Sequence, residues 1–139
     1  MVDVLVAHDA TIDKFIGDCI TAVFEEQESG AIKSVKAALE MLRVLPELHQ
    51  EVGVELEVRI GVNSGAVITG DLGSRLHRRD FTVIGDAVNV ASRIESVAEP
   101  GQLLISAETE SLLGGQFNCK SLGEVEVKGR VEPVSVYQC

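Results

Sequence analysis

The chain has 139 residues, enough to bury one hydrophobic core. Twelve basic against 22 acidic side chains leave a net charge of −10, the wrong sign for a broad nucleic-acid or anionic-membrane surface. A small anion is not excluded, because a pocket can be locally basic or use a divalent metal.

Aromatic residues make up only 4% of the chain, so the core must be largely aliphatic. Three cysteines, Cys19, Cys119 and Cys139, show no CxxC spacing, which predicts a reduced, intracellular, cytoplasmic protein. No apolar run approaches the roughly 20 residues that span a bilayer, and the first residues lack the basic region of a signal peptide.

In chain order, residues 1–9 are apolar with little periodicity and fit a helix end or a strand. Thr11 to Phe24 is rich in β-branched and apolar residues around Gly17-Asp18, which predicts a hairpin. Ser29 to Gln50 repeats apolar residues every three or four positions, which predicts a helix with Ser29 as its cap and Gly53 beyond its end. Val54 to Val62 alternates apolar and charged residues, as a strand with one wet face does. Asn63-Ser64-Gly65 is a turn before a strand at Ala66 to Thr69, followed by a polar, basic arm through Arg79 and a strand at Asp80 to Ile84.

Gly85-Asp86 opens a helix to about Val97, with Asp86 as the simplest N-cap. Short elements follow: strand Gln102 to Ile105, helix Ser106 to Leu113, strands Phe117 to Val127 and Val134 to Tyr137. This order predicts one α+β domain, a mostly antiparallel sheet with helices on one face.

Walker, dinucleotide-binding, HExxH, EF-hand and GxSxG motifs are all absent. His8, His49 and His77 share no ligand spacing and read as ordinary side chains. Three constellations carry chemistry. In Lys14-Phe-Ile-Gly17-Asp18 a glycine turn projects a carboxylate, either a plain turn residue or a hard oxygen ligand for Mg²⁺ or Mn²⁺. Lys14 on its strand also fits a solvated edge lysine. In Thr82 to Arg93 a strand runs through a glycine into a helix, where Asn89 and Arg93 share one face. That face suits a sugar oxygen and a phosphate, or simply solvent. In Val127-Lys128-Gly129-Arg130 two cations flank a glycine, as at a phosphate or in a solvated turn.

In this order KFIGD, RIGVNSGAVITGDLGS, FTVIGDAVNVASRIESVAEPGQLLIS and VKGRVEPVSVY resemble the catalytic domain of class III adenylyl/guanylyl cyclases over essentially the whole chain. The bacterial subtype is the one resembled, with Thr at a base-contacting position often held by Asp. The resemblance implies a ferredoxin-like α+β fold acting as a head-to-tail homodimer, with each site shared between two chains and a regulatory or sensory domain elsewhere in a longer protein. It implies that Asp18 binds metal at a two-ion Mg²⁺ or Mn²⁺ centre, that Lys14 and Thr82 read the adenine edge, and that Asn89 orients the ribose. It further implies that Arg93 stabilises the transition-state phosphoryl group, that Lys128 holds the polyphosphate, and that Arg75 to Arg79 contributes dimer contacts. The implied reaction converts ATP to cyclic AMP and pyrophosphate.

The family's second metal aspartate, in a motif like F-x-D-I-x-G-F-T, has no counterpart here. Asp3, Asp9 and Asp13 lie outside its context. The expectation is a cyclase domain without its first β-α segment, with weak or no turnover alone. A nucleotide-binding or dimerisation module without catalysis is the other reading.

Overall fold

A computed structural model describes the backbone of residues 1–72 and 80–139, and side chains outside 71–82. The elements are α1 (Val2–Ala7), β1 (Thr11–Ile16), β2 (Cys19–Val23), α2 (Glu28–Val52), β3 (Ile60–Val62), β4 (Ile68–Leu72), β5 (Asp80–Ile84), α3 (Asp86–Val97), β6 (Leu103–Ser106), α4 (Ala107–Leu112), β7 (Lys120–Val125) and β8 (Val134–Gln138). The ambiguous N-terminal stretch is thus a helix, and the expected order of hairpins and helices follows it.

A four-stranded sheet in the order β3-β6-β8-β7 forms the centre, with β1-β2 and β4-β5 as separate antiparallel pairs. The α+β reading with mostly antiparallel pairing holds; β3 and β6 pair in parallel. The helices, expected on one face, cover both. Consecutive strand residues point to opposite sides. Leu104 of β6 packs with Val90 and Ile94 of α3, while Leu103 and Ile105 pack with Ala31, Val35 and Ala38 of α2. All four residues of β6 are buried, as expected of a strand covered on both sides.

Several boundaries depart from expectation. β4 is Ile68–Leu72 rather than Ala66–Thr69 and, paired with β5, reaches into the stretch read as a polar arm. β7 is Lys120–Val125 rather than Phe117–Val127. Two more departures have identifiable reasons. Only Ile60–Val62 of the alternating 54–62 stretch is a strand, because β6 faces only those three residues; alternation reports a wet face but cannot supply a partner. Ser29 lies inside the first turn of α2 rather than capping it, and its hydroxyl donates to Glu26. Gly53 does close α2 in the left-handed conformation, φ 70°.

The cysteine expectation is corrected. Cys119 and Cys139 form a disulfide with their Cα atoms 4.3 Å apart. The β7-β8 register aligns Lys120 with Gln138, so the flanking cysteines face each other. A separation of 20 residues hides that proximity from spacing rules.

Candidate functional site

The β1-β2 hairpin turns at Gly17, whose φ of 60° suits a residue without Cβ. Asp18 therefore stands at the exposed tip, with no hydrogen bond or ion pair among the described residues. Cys19 follows it; partial burial, then the Glu95 and Asp18 carboxylates, push its thiol pKa up, so it stays neutral at pH 7.

Lys14 lies on β1 at a β-bulge. Ile12 pairs with Ala22 and Lys14 with Thr21, leaving Asp13 as the extra residue. The Asp13 side chain is fully buried, and its Oδ2 lies 3.4 Å from Lys14 Nζ. Asp13 Oδ1 accepts a 3.2 Å hydrogen bond from the Val83 N–H of β5. The hairpin is thereby tied to the strand that contains Thr82, which pairs with Gly70 of β4. By its sequence context alone Asp13 is a carboxylate outside the family's metal motif. Its signal was an acidic residue inside an otherwise β-rich, apolar run.

The second group gathers on α3. The turn after β3 holds the start of this helix through Asn63 Nδ2, which donates to Ala87 O at 3.0 Å, and is itself tied to α4 where Ser64 Oγ bonds Thr109 Oγ1 at 2.9 Å. Gly61 lets β3 approach the α3 backbone so closely that an added Cβ would sit 2.4 Å from Glu95 N. Val90 and Ile94 face the core, which leaves Asn89 and Arg93 exposed on the outer face, as their spacing predicted. Arg93 Nε donates to Glu126 O at 2.9 Å, fixing the guanidinium toward the β7-β8 connection.

Asp86 is not the cap of α3. Gly85 occupies that position, and Asp86 instead pairs with Arg130 at 3.6 Å. Arg93, Lys128 and Arg130 line one cleft of about 560 Å³ together with Glu126, Val127 and Glu132. Three cations around an open cleft can receive a polyanion. Lys128 makes no ion pair among the described residues.

The structure therefore brings Arg93 and Lys128 together, with Asn89 one helical turn away. It places Lys14 and Asp18 on the hairpin, outside that cleft's lining. Arg75 to Arg79 and His77 lie outside the described residues. His8 binds Glu40 and His49 binds the Leu56 carbonyl, so both are structural. Among the described residues no three His, Cys, Asp or Glu side chains converge on a metal site. A single open carboxylate still suits Mg²⁺, which is commonly held by one or two carboxylates plus substrate phosphates. None of the described helices is long and apolar enough to cross a membrane.

This arrangement has close counterparts. Residues 2–138 match the family model of the Adenylate and Guanylate cyclase catalytic domain, and the chain belongs to that family. It is 37% identical over 137 residues to the "Adenylate cyclase, terminal-differentiation specific" of Dictyostelium discoideum, covering 91% of this chain and 6% of that protein. It is 34% identical over 135 residues to the "Receptor-type guanylate cyclase gcy-7" of Caenorhabditis elegans, covering 88% of this chain and 12% of that protein. The chain thus spans a small part of the curated relatives it matches. Among solved structures, the adenylyl cyclase CyaB from P. aeruginosa superposes with a TM-score of 0.89 at 35% identity, over 99% of this chain and 74% of that one. Adenylyl and guanylyl cyclases both stand among the relatives.

Proposed function

We propose that this cyclase domain takes ATP rather than GTP and forms 3′,5′-cyclic AMP and pyrophosphate. The observation that carries the choice of base is the Asp13–Val83 hydrogen bond, which sets Lys14 on β1 beside the β5 strand of Thr82. A lysine ammonium only donates hydrogen bonds. It satisfies the N1 acceptor of adenine and opposes the N1–H of guanine. The resemblance pairs Lys14 with Thr82 for this purpose, where guanylyl cyclases typically have Glu and Cys.

The other residues take consistent parts. Lys128 holds the polyphosphate, Asn89 orients the ribose, and Arg93 faces the charge that develops at the α-phosphate. The ribose 3′-hydroxyl gives up its proton to water as its oxygen forms a new bond to the α-phosphorus and the bond to the bridging oxygen of pyrophosphate breaks. Holding base, ribose and phosphates at once aligns the in-line displacement. Asp18 would hold a divalent Mg²⁺ or Mn²⁺ ion, which when bound lowers the pKa of the 3′-hydroxyl and neutralises the triphosphate.

The division of residues between hairpin and cleft supports a head-to-tail homodimer, in which each site takes residues from both copies. Phe15 and Ile16 of β1, Ile68 of β4 and Ile84 of β5 are each more than half exposed, an apolar surface that a second copy would cover. The chain's small share of its relatives' length supports a regulatory or sensory domain elsewhere in a longer protein.

The test measures ATP and GTP binding in Mn²⁺, with cyclic AMP, cyclic GMP and pyrophosphate quantified in parallel. The expected result is tighter binding of ATP, weak turnover with cyclic AMP as its product, and a shift toward GTP in the Lys14→Glu/Thr82→Cys double variant. Equal binding of both nucleotides, unchanged in the double variant, overturns the reading. Asp18 is the one residue that the resemblance assigns to metal, which favours one second reading, a nucleotide-binding module without turnover. ATP binding without any cyclic product would select it.

A further inference from the structure

A buried carboxylate whose second oxygen has no hydrogen-bond partner is costly, because it has lost water and gained nothing in return. Asp13 is such a group among the described residues. Its side chain is completely buried, Oδ1 accepts from Val83 N–H at 3.2 Å, and Oδ2 has no hydrogen-bond partner. The Lys14 ammonium lies 3.4 Å from Oδ2, close enough for an ion pair but not aligned as a hydrogen bond. Lys14 itself is 41% exposed, so its outer donors remain open.

The backbone makes this pairing possible. In a regular strand consecutive side chains point to opposite faces. The bulge at Asp13 breaks that alternation and brings the charged ends of Asp13 and Lys14 together. The same carboxylate clamps the hairpin onto β5 through the amide next to Thr82.

We propose that Asp13 is a positioning residue for base selection: it registers β1 against β5 and holds the Lys14 ammonium at the purine-reading position. This rests on the reading of Lys14 as a base contact. A lysine released from Asp13 explores more rotamers, bonds the adenine acceptor less often and opposes the guanine donor less consistently. Selectivity is lost, while the phosphate contacts on α3 are untouched.

Asp13→Asn is the informative variant. The amide oxygen keeps the bond to Val83 N–H, while an amide N–H₂ replaces the oxygen facing Lys14. The full chain is titrated with ATP and GTP in Mn²⁺, in the wild type, Asp13→Asn, Lys14→Ala and the double variant. Asp13→Asn is expected to reduce the ATP-over-GTP preference by about tenfold. It is expected to add nothing in the Lys14→Ala background. Unchanged selectivity in Asp13→Asn, or an equal effect with Lys14 removed, overturns the proposal. Hydrogen exchange of the Val83 amide supplies a readout independent of nucleotide: protection persists in Asp13→Asn and is lost in Asp13→Ala. If the wild type shows no ATP preference, the function reading fails and the role in base selection falls with it. The strand clamp is then judged by Val83 exchange alone, and protection unaltered in Asp13→Ala refutes it.

Discussion

Gly61→Ala tests whether the site depends on how closely β3 approaches α3. A Cβ at residue 61 would lie 2.4 Å from Glu95 N, 2.6 Å from Ala91 O and 2.8 Å from Glu95 Cα. All three are backbone atoms, so no side chain can swing away. Ordinary contact begins at 3.4 Å, so the helix must retreat by about 1 Å or the strand must deform. Overpacking of this kind costs about 2 kcal/mol, which for a chain of this size lowers Tm by about 8 °C. The displaced element carries Asn89 and Arg93, and a shift of about 1 Å at such groups can reduce catalysis by about a hundredfold. Thermal melts and ATP titration of Gly61→Ala are compared with Gly70→Ala, where an added Cβ meets nothing within 4 Å. A Gly61→Ala protein that melts within about 2 °C of wild type and binds ATP normally would show that the close approach does not constrain the helix.

Arg93→Ala should weaken ATP binding or turnover by about a hundredfold with little change in Tm, since Arg93 is exposed and its side chain, among the described residues, bonds only the Glu126 carbonyl; normal affinity and turnover would remove it from the site. Reducing the Cys119–Cys139 disulfide, which closes a separation of 20 residues, should cost about 3 kcal/mol. A Tm indifferent to reductant would contradict that. The Lys33 ammonium, 2.9 Å from Asp9, holds the Asp9 carboxyl below its ordinary 3.8, and Asp9 raises Lys33 above 10.5. The aspartate's contribution to stability is therefore present above pH 3.8 and lost as pH falls through its lowered pKa. The lysine's is present below 10.5 and lost as pH rises through its raised pKa. Carboxyl NMR titration should find Asp9 depressed in wild type and returned toward 3.8 in Lys33→Met.

What the sequence revealed depended on the range of the interaction. The α2 and α3 helices were legible because a 3.6-residue period is local, and both ends of α3 fell where Gly85 and Pro100 suggested. The KFIGD hairpin was legible because Gly17-Asp18 is itself the turn. The exposed pair Asn89 and Arg93 followed from an i, i+4 spacing against the Val90 and Ile94 core face. Features set by distant partners were not legible. The bulge at Asp13, the bond to Val83 some 70 residues away, the Cys119–Cys139 bridge and the restriction of β3 to three residues all depend on what the chain brings opposite. RIGVNSG read as strand and turn, yet Gly61 and Asn63 act on α3, which no local pattern announces.

The acidic surplus acquires a specific role in this arrangement. A net charge of −10 opposes a triphosphate at long range, yet the described contacts have acidic groups beside individual cations. Asp13 draws in Lys14 and Asp86 draws in Arg130, while a neutral carbonyl at Glu126 orients Arg93. Each partner fixes the direction of a long side chain whose freedom would otherwise be lost on binding, which reduces the entropy cost of gathering a polyanion. Lys128 makes no ion pair among the described residues and so stays open to an anion. On the proposed reading, a few locally aimed cations make a phosphate site compatible with an acidic chain, while the acidic surplus keeps the remaining surface repellent to nucleic acid.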